Sequence, residues 1–459
     1  MELSDRVLKF ELDGSSSLII NPVTGAIDII PTRFFEHLSD SEKGQLHKRG
    51  YFLSEDERLQ MLAALQDVEI QHGQNVPYWF YVLTTLDCNF RCPICYEKQT
   101  LTRSETTPDT IEKIIDAIKG FQEEHKIPED RVKLIIFGGE PLCVSDPDII
   151  RQVLRSSHEQ KWKDVVVTNG SRVKRFIDLF VEYSGTISDF RVTLDGPQAI
   201  HDSRRPYRGG RGSFTDVVSA IDLLLENHLS VKMQTILGSG NVSHFEDLIT
   251  FVEDRTWLQN PFFQWRIEGS HDYADLDPEK DEISEGKIVR ALIQSGVKHE
   301  GFRGKIKFES FKYLGHIVRS FGWLGTHKTY WGPKYGFCEP QKGFHYVIST
   351  QGGVYHCPRT INNPDFYVGD VGDGLRSKGR ELEHRSILKR KECLPCSVNT
   401  LCGGGCVVQK RYRQGLDCKE YALSVISEFI DLMKGEILER ADPDRIVSVN
   451  DLWQGHPDS

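Results

Sequence analysis

Residues 81–97 read YVLTTLDCNFRCPICYE. Tyr81–Leu86 has the β-branched and apolar composition of a strand, and it runs almost directly into Cys88, Cys92 and Cys95. The spacing Cys-x3-Cys-x2-Cys sets three soft thiolates on one short loop. Thiolates suit iron–sulfur clusters or zinc, and three ligands where a closed site needs four leave one metal position open, as catalysis requires. A zinc site completed by a His or Asp is the alternative, although zinc motifs usually pair their cysteines as two separated Cys-x2-Cys arms.

Downstream of this loop strand and helix alternate. KLIIF (133–137), DVVVT (164–168), DFRVTL (189–194), SVKMQTIL (230–237) and FFQWRI (262–267) read as further strands. Thr107-Pro108 opens a helix whose Ile111, Ile114, Ile115, Ile118 and Phe121 follow the helical period. Residues 214–228 form another, with Val218, Ile221, Leu224 and Leu225 on one face. About six βα units with apolar strands predict a parallel sheet covered by helices. That is too few to close an eight-unit barrel, so an open partial barrel or a doubly wound sheet is expected, with ligands at the C-terminal strand ends.

Upstream, residues 1–75 read as a small α+β domain. KFELDG (9–14) and SLIINPVTGAIDIIP (17–31) are strands; PTRFFEHL (31–38) and SEDERLQMLAALQ (54–66) are short helices, the second with a capping pattern. HGQNVP (72–77) is a linker. After His271 the chain turns acidic and helical, then loop-rich and cysteine-rich from Gly332, and from Ala441 it reads as a polar extension.

The 459 residues suffice for two or three domains. A net charge of −10 argues against a general nucleic-acid surface. No apolar run reaches the roughly 20 residues of a membrane span, and MELSDRVLKFELDG lacks a signal-peptide pattern, so a cytoplasmic protein is expected. In that reducing setting eleven cysteines are better read as ligands or redox groups than as disulfides. They bunch: three lie in 88–95, one is Cys143, and seven lie in 338–418.

CNFRCPICYE, with its aromatic Tyr96, resembles the signature of radical S-adenosylmethionine (SAM) enzymes. The resemblance implies a [4Fe–4S] cluster on Cys88, Cys92 and Cys95 whose open iron binds the amino and carboxylate groups of the cofactor. One electron then cleaves the sulfonium to give methionine and a 5′-deoxyadenosyl radical. Gly138-Gly139-Glu140-Pro141 is similar to the family's GGE motif, which hydrogen-bonds the cofactor's ammonium. Thr168-Asn169-Gly170 ends the next strand. Thr193-Leu194-Asp195-Gly196-Pro197, His201-Asp202, Arg205 and Gly212-Ser213-Phe214 resemble a stretch common in one branch of the family. Thr193 stands where that branch usually has Ser, and either hydroxyl suits the ribose. Arg205 is a partner for the cofactor's carboxylate, with Arg204 and Arg208 as competitors. The expected cofactor-binding residues are thus Gly138, Gly139, Glu140, Asn169, Thr193, Asp195 and Arg205.

Cys338, Gly352, Cys357, Cys393, Cys396, Cys402, Cys406 and Cys418 follow the order of the SPASM extension of peptide-modifying members. A zinc ribbon is the alternative that Cys393-x2-Cys396 alone permits. By resemblance, Cys393, Cys396, Cys402 and Cys418 hold an outer auxiliary [4Fe–4S] cluster, and Cys338, Cys357 and Cys406 an inner one. The inner set is one ligand short, so its open iron is free for a substrate thiolate, another side chain or water. Cys143 is left over and reads as a packed hydrophobe. No catalytic base stands out: Tyr346, His345, His356, Asp370 and Asp373 are candidates in the cluster loops, and Gln264–Glu268 should face the site.

The expected architecture is therefore an α/β partial (β/α)6 TIM barrel at 76–310. A leader-recognition-like α+β domain at 1–75 precedes it, and a loop-rich SPASM domain at 311–440 and a polar tail at 441–459 follow. The expected function is radical SAM maturation of a precursor peptide or protein, giving an oxidised or cross-linked product such as a thioether. Three [4Fe–4S] clusters, SAM and an electron donor such as flavodoxin or ferredoxin would serve it, with no nucleic acid and no membrane. An anaerobic sulfatase-maturating enzyme is the enzymatic rival, disfavoured because such enzymes normally carry one more cysteine near Cys338. A zinc-stabilised non-catalytic binding protein is the rival of another class.

Overall fold

The computed structural model describes residues 4–98, 100–270, 281–299, 306–308, 312–323, 333–338, 343–375, 386–412 and 417–449. The chain opens with three antiparallel strands, β1 (Leu8–Glu11), β2 (Ser16–Asn21) and β3 (Ala26–Pro31), paired in that order. The helix expected over 31–38 shrinks to a single 3-10 turn, Thr32–Phe35. The stronger start signal lies just beyond it: Ser39 and Glu42 form a capping box that begins α1 (Asp40–Lys48). Ser54 and Glu57 form the expected box at the head of α2 (Glu55–Asn75). This helix runs through most of the expected linker. Its last carbonyls find a donor that local sequence does not reveal, the Arg131 guanidinium, which reaches Gly73 O at 2.6 Å and Val76 O at 2.9 Å.

Part of the segment read as a polar extension is structural. Val447–Ser448 pairs antiparallel with β3 as a fourth strand, and Val449 is buried. Residues 450–459 of that segment lie outside the described residues, as does 271–280 of the stretch read as acidic and helical.

The six expected core strands are present: β4 (Tyr78–Thr85), β5 (Val132–Gly138), β6 (Lys163–Thr168), β7 (Ile187–Thr193), β8 (Val231–Leu237) and β9 (Phe263–Gly269). They pair in parallel in sequential order, and β10 (Ile306–Phe308) adds a seventh strand beside β9. On the other flank β11 (His345–Ile348) lies parallel to β4 and leads into antiparallel β12 (Gly353–Tyr355) and β13 (Gly369–Asp370). A doubly wound sheet would reverse its strand order at a switch point. The unbroken order from β4 to β10 is that of an opened barrel, and the fold is a partial TIM barrel.

The pleat sorts side chains into two layers. Phe80, Val82, Leu134, Ile136, Val166, Phe190, Val192, Met233, Trp265 and Ile267 share one core with the helices. Leu83, Ile135, Phe137, Val165 and Val347 form a second cluster with Trp79, Tyr81 and Val167 on the opposite, inner face. The helices α3 (Pro108–Glu124), α4 (Asp148–Glu159), α5 (Val173–Glu182), α6 (Gln198–Arg204), α7 (Phe214–Glu226), α8 (Phe245–Asp254) and α9 (Glu285–Lys298) follow the strands in alternation. All five apolar positions read for α3 are buried, and Thr107 caps it by accepting from Thr110 N. Each such side chain contributes about 1.5–3 kcal/mol before the entropy of ordering it. Among the described residues no helix is long and apolar enough to cross a membrane.

Candidate active site and cluster-binding loops

Every expected cofactor-binding residue lies at or just beyond the C-terminal end of β5, β6 or β7 or in the α6 region, beside the loop carrying Cys88, Cys92 and Cys95 that follows β4. The GGE turn is zipped onto the start of that loop. Gly139 N donates to Thr85 O (3.0 Å) and Glu140 N to Asp87 O (2.8 Å). A Cβ on Gly138, whose φ is +148°, would lie 2.1 Å from Thr85 O, and one on Gly139 would lie 2.5 Å from Asp87 O. Glycine is required at both places by backbone approach.

Glu140 is fully buried, and its carboxylate ties this turn to the next strand. It accepts from Thr168 Oγ1 (2.7 Å), Asn169 N (2.6 Å) and Leu142 N (3.1 Å). Burial raises its pKa to about 7 against these donors. Asn169 in turn donates to Asn89 Oδ1 (2.9 Å) and approaches Cys88 Sγ at 4.0 Å. The Thr-Asn-Gly turn therefore braces the cysteine loop as well as facing it.

The Asp195–Phe214 stretch folds into one buried network. Asp195 takes the Arg205 Nε at 2.7 Å and Ile236 N at 2.9 Å, and Arg204 Nε lies 3.5 Å away. Burial would raise its pKa, but the two arginines outweigh it and hold the carboxyl below its ordinary range. The three candidate arginines differ in their further partners. Arg204 pairs with Asp281 (2.8 Å), Arg208 pairs with Asp87, and Arg205, held on Asp195, sets its charge near Cys92 and lowers that thiol against burial. His201 accepts from Asp195 N at Nδ1 (3.1 Å), so its proton sits on Nε2 facing Ser213 Oγ (3.1 Å). Thr193 ends β7 half-buried.

Burial pushes the thiols of Cys88 and Cys95 up, Cys95 to about 12; Cys88 also feels Cys92 and Cys95, and Cys95 feels Cys92. Such mutual repulsion among partly buried thiolates is what a bound cation relieves. The same chemistry groups the C-terminal cysteines. Half-buried Cys357 is pushed up to about 12 by loss of solvent and raised further by Cys338 and Cys406. Cys402, also near 12, feels Cys418 and Cys393. Cys393, Cys396, Cys402 and Cys418 together line one cavity of about 440 Å³. Gly403, Gly404 and Gly405 all have positive φ (+69°, +92°, +72°), and a Cβ on Gly403 would lie 2.6 Å from Gly336 O. Three successive left-handed residues turn the chain sharply between Cys402 and Cys406. Among the described residues no three Cys, His, Asp or Glu side chains converge on a single ion-sized point. The four thiols instead border one shared space.

Other candidates fall elsewhere. Tyr346 stacks on Phe80 (5.4 Å) on the helix-facing side of β4 and β11, with the His356 ring 5.4 Å from it. Asp370 caps a turn by accepting from Gly372 N (2.9 Å). Asp373 is exposed in the same turn, and His345 lies against Trp79 and Tyr81 of the inner face. Cys143 sits in a turn beside Glu140, where burial raises its thiol to about 11. In β9, Arg266 pairs with Glu268. Burial would raise the Glu268 pKa, but Arg266, Arg359 and Lys312 together hold it low. Two residues of this region escaped sequence reading: Glu97, buried with Oε1 lacking a hydrogen-bond partner, and Arg359, whose guanidinium lies 4.6 Å over the Tyr96 ring. Their only signal was position, two residues after Cys95 and two after Cys357.

Residues 82–252 match the family model described as the Radical SAM superfamily. An uncharacterized protein of Synechocystis is 25% identical over 200 residues, 41% of this chain and 48% of that one. A serine-type anaerobic sulfatase-maturating enzyme of Bacteroides thetaiotaomicron is 24% identical over 399 residues, 78% of this chain and 92% of its own. Among solved structures, anSMEcpe with bound AdoMet superposes with a TM-score of 0.60 at 14% identity, covering 79% of this chain and 98% of that one. Streptococcus suis SuiB bound to S-adenosylmethionine gives 0.53 at 14% identity, covering 90% and 97%. At these identities the two structures speak to the fold.

Proposed function

We propose that this radical SAM enzyme is a maturase that takes hydrogen from a residue of a peptide or protein, leaving an oxidised or cross-linked product. The reading is carried by cysteines lying near one another: Cys88 near Cys92 and Cys95, Cys357 near Cys338 and Cys406, and Cys393, Cys396, Cys402 and Cys418 around one cavity. When bound, a cluster on Cys88, Cys92 and Cys95 together with SAM would supply an electron and a 5′-deoxyadenosyl radical. The chain's own residues position that chemistry. Gly138 and Gly139 bring the β5 turn against the cysteine loop, Glu140 and Asn169 hold the loop in register, and Arg205 places a cation beside Cys92. Thr193 and Asp195 are assigned to the cofactor's ribose side. Inner and outer auxiliary clusters on the downstream sets would receive an electron or hold substrate, and a flavodoxin or ferredoxin inside the cell would supply reducing equivalents.

Sulfatase maturation is the second reading, favoured by the 92% of the Bacteroides enzyme that the match spans. Co-expression separates the two. With a short peptide encoded beside the gene, the first reading expects a mass loss of about 2 Da per cross-link, the sign of a two-electron oxidation. An unmodified peptide together with conversion of a co-expressed sulfatase establishes the second.

A further inference from the structure

We propose that Arg58 of the N-terminal helix α2 is a positioning residue for the outer auxiliary cluster, fixing the Cys393–Cys396 turn and raising the cluster's reduction potential. The inference rests on the reading of Cys393, Cys396, Cys402 and Cys418 as one ligand set. Helix α2 presents Arg58, Leu62, Leu65, Glu69 and His72 at spacings of three and four, hence on one face. That face lies on the cysteine-rich lobe. Leu62 and Leu65 cluster with Val23 and Leu388, Ser386 Oγ donates to Glu69 Oε2 at 3.2 Å, and His72 meets the Tyr335 ring edge-on.

Arg58 is 4% exposed, and its Nη1 donates to Leu394 O at 2.9 Å. Leu394 lies between the first two cysteines of the set. The preceding carbonyl, Cys393 O, accepts from Cys396 N (3.1 Å) and Asn399 Nδ2 (3.1 Å). The turn is thus held from inside by Asn399 and from the N-terminal domain by Arg58. The rest of the guanidinium forks onto Glu55, Nε at 2.8 Å, and that carboxylate is mostly in water, where its charge is screened. Outer-shell hydrogen bonds set the geometry of metal ligands, and nearby net charge sets a cluster's potential. A buried cation favours the more negative, reduced cluster. Its partner Glu55 opposes that effect.

The test is an anaerobic redox titration of the full-length reconstituted chain, followed by electron paramagnetic resonance. The outer signal is the one missing from a Cys393→Ala/Cys396→Ala variant, and if that variant keeps all its iron the ligand assignment itself fails. Arg58→Gln is expected to move the outer midpoint to more negative potential and Glu55→Gln to more positive potential. The signal that responds to SAM stays in place in both. A loss of about four irons confined to the outer set in Arg58→Gln, reversed by Arg58→Lys, also supports the proposal. An unchanged outer midpoint at full iron content, or equal iron loss from all sets, overturns it.

Discussion

At position 139 no side chain fits, because a Cβ would meet the Asp87 carbonyl oxygen at 2.5 Å, and that carbonyl belongs to the backbone leading into Cys88. Gly139→Ala should therefore push the cysteine loop away from the β5 turn. We expect a cost of about 1–3 kcal/mol, read as a lowered unfolding midpoint, together with loss of iron from the first site and retention at the other two. His201 makes a second residue-scale prediction. Burial lowers its pKa from 6.5 to about 4, with Asp195 and Asp202 opposing and Arg205 and Arg204 assisting. The unfolded chain takes up this proton below pH 6.5 and the folded chain only near 4, so stability falls as pH drops through that window, by up to about 1.4 kcal/mol per pH unit. Urea midpoints of His201→Gln should show a shallower decline between pH 6.5 and 4.5 than those of the parent. At this scale the cysteines were legible because thiol chemistry is written in spacing. The placements of His345 and Tyr346 were not, since which face of β11 a residue occupies depends on its pairing with β4.

Among the elements, the two-residue strand Val447–Ser448 carries more weight than its length suggests. It covers the β3 edge, with Val447 opposite Ile29 and Val449 N donating to Ile27 O at 3.0 Å. Truncation after Asp444 should expose that edge and the pocket of buried Val449, at a cost of about 1.5–3 kcal/mol. An open edge also invites pairing between chains. Thermal unfolding should shift downward and light scattering should rise, and a truncated chain as stable and monomeric as the parent would contradict this. The six core strands were legible because each carries an apolar run at its own period. The end of α2 and strand β10 were not. The first depends on Arg131, distant in sequence, and the second is three residues that form a strand only because β9 offers a parallel edge.

Across the whole molecule a barrel mouth adjoins a cysteine-rich lobe through β4 and β11, and the Asp195 network supports the mouth. Asp195→Asn would leave buried Arg204 and half-buried Arg205 without their shared carboxylate. Removing one partner of a buried pair typically costs about 3–5 kcal/mol, so calorimetry should register a large destabilisation here and little from losing the exposed pair of Arg33 with Asp444. The partial barrel was readable from strand count, while its unbroken strand order needed the structure. The sorting of seven downstream cysteines into sets of four and three came from resemblance, because spacing alone does not say which thiols meet; four of the seven line one cavity. The central claim is that three cysteine sets hold three clusters, of which only the first cleaves SAM. Iron and product analysis of the anaerobically reconstituted chain beside its Cys88→Ala/Cys92→Ala/Cys95→Ala variant tests it most directly. The account predicts about twelve irons per parent chain and about eight in the variant, with 5′-deoxyadenosine released on reduction by the parent alone. Stoichiometric zinc in place of iron, or 5′-deoxyadenosine released by the variant, would contradict it.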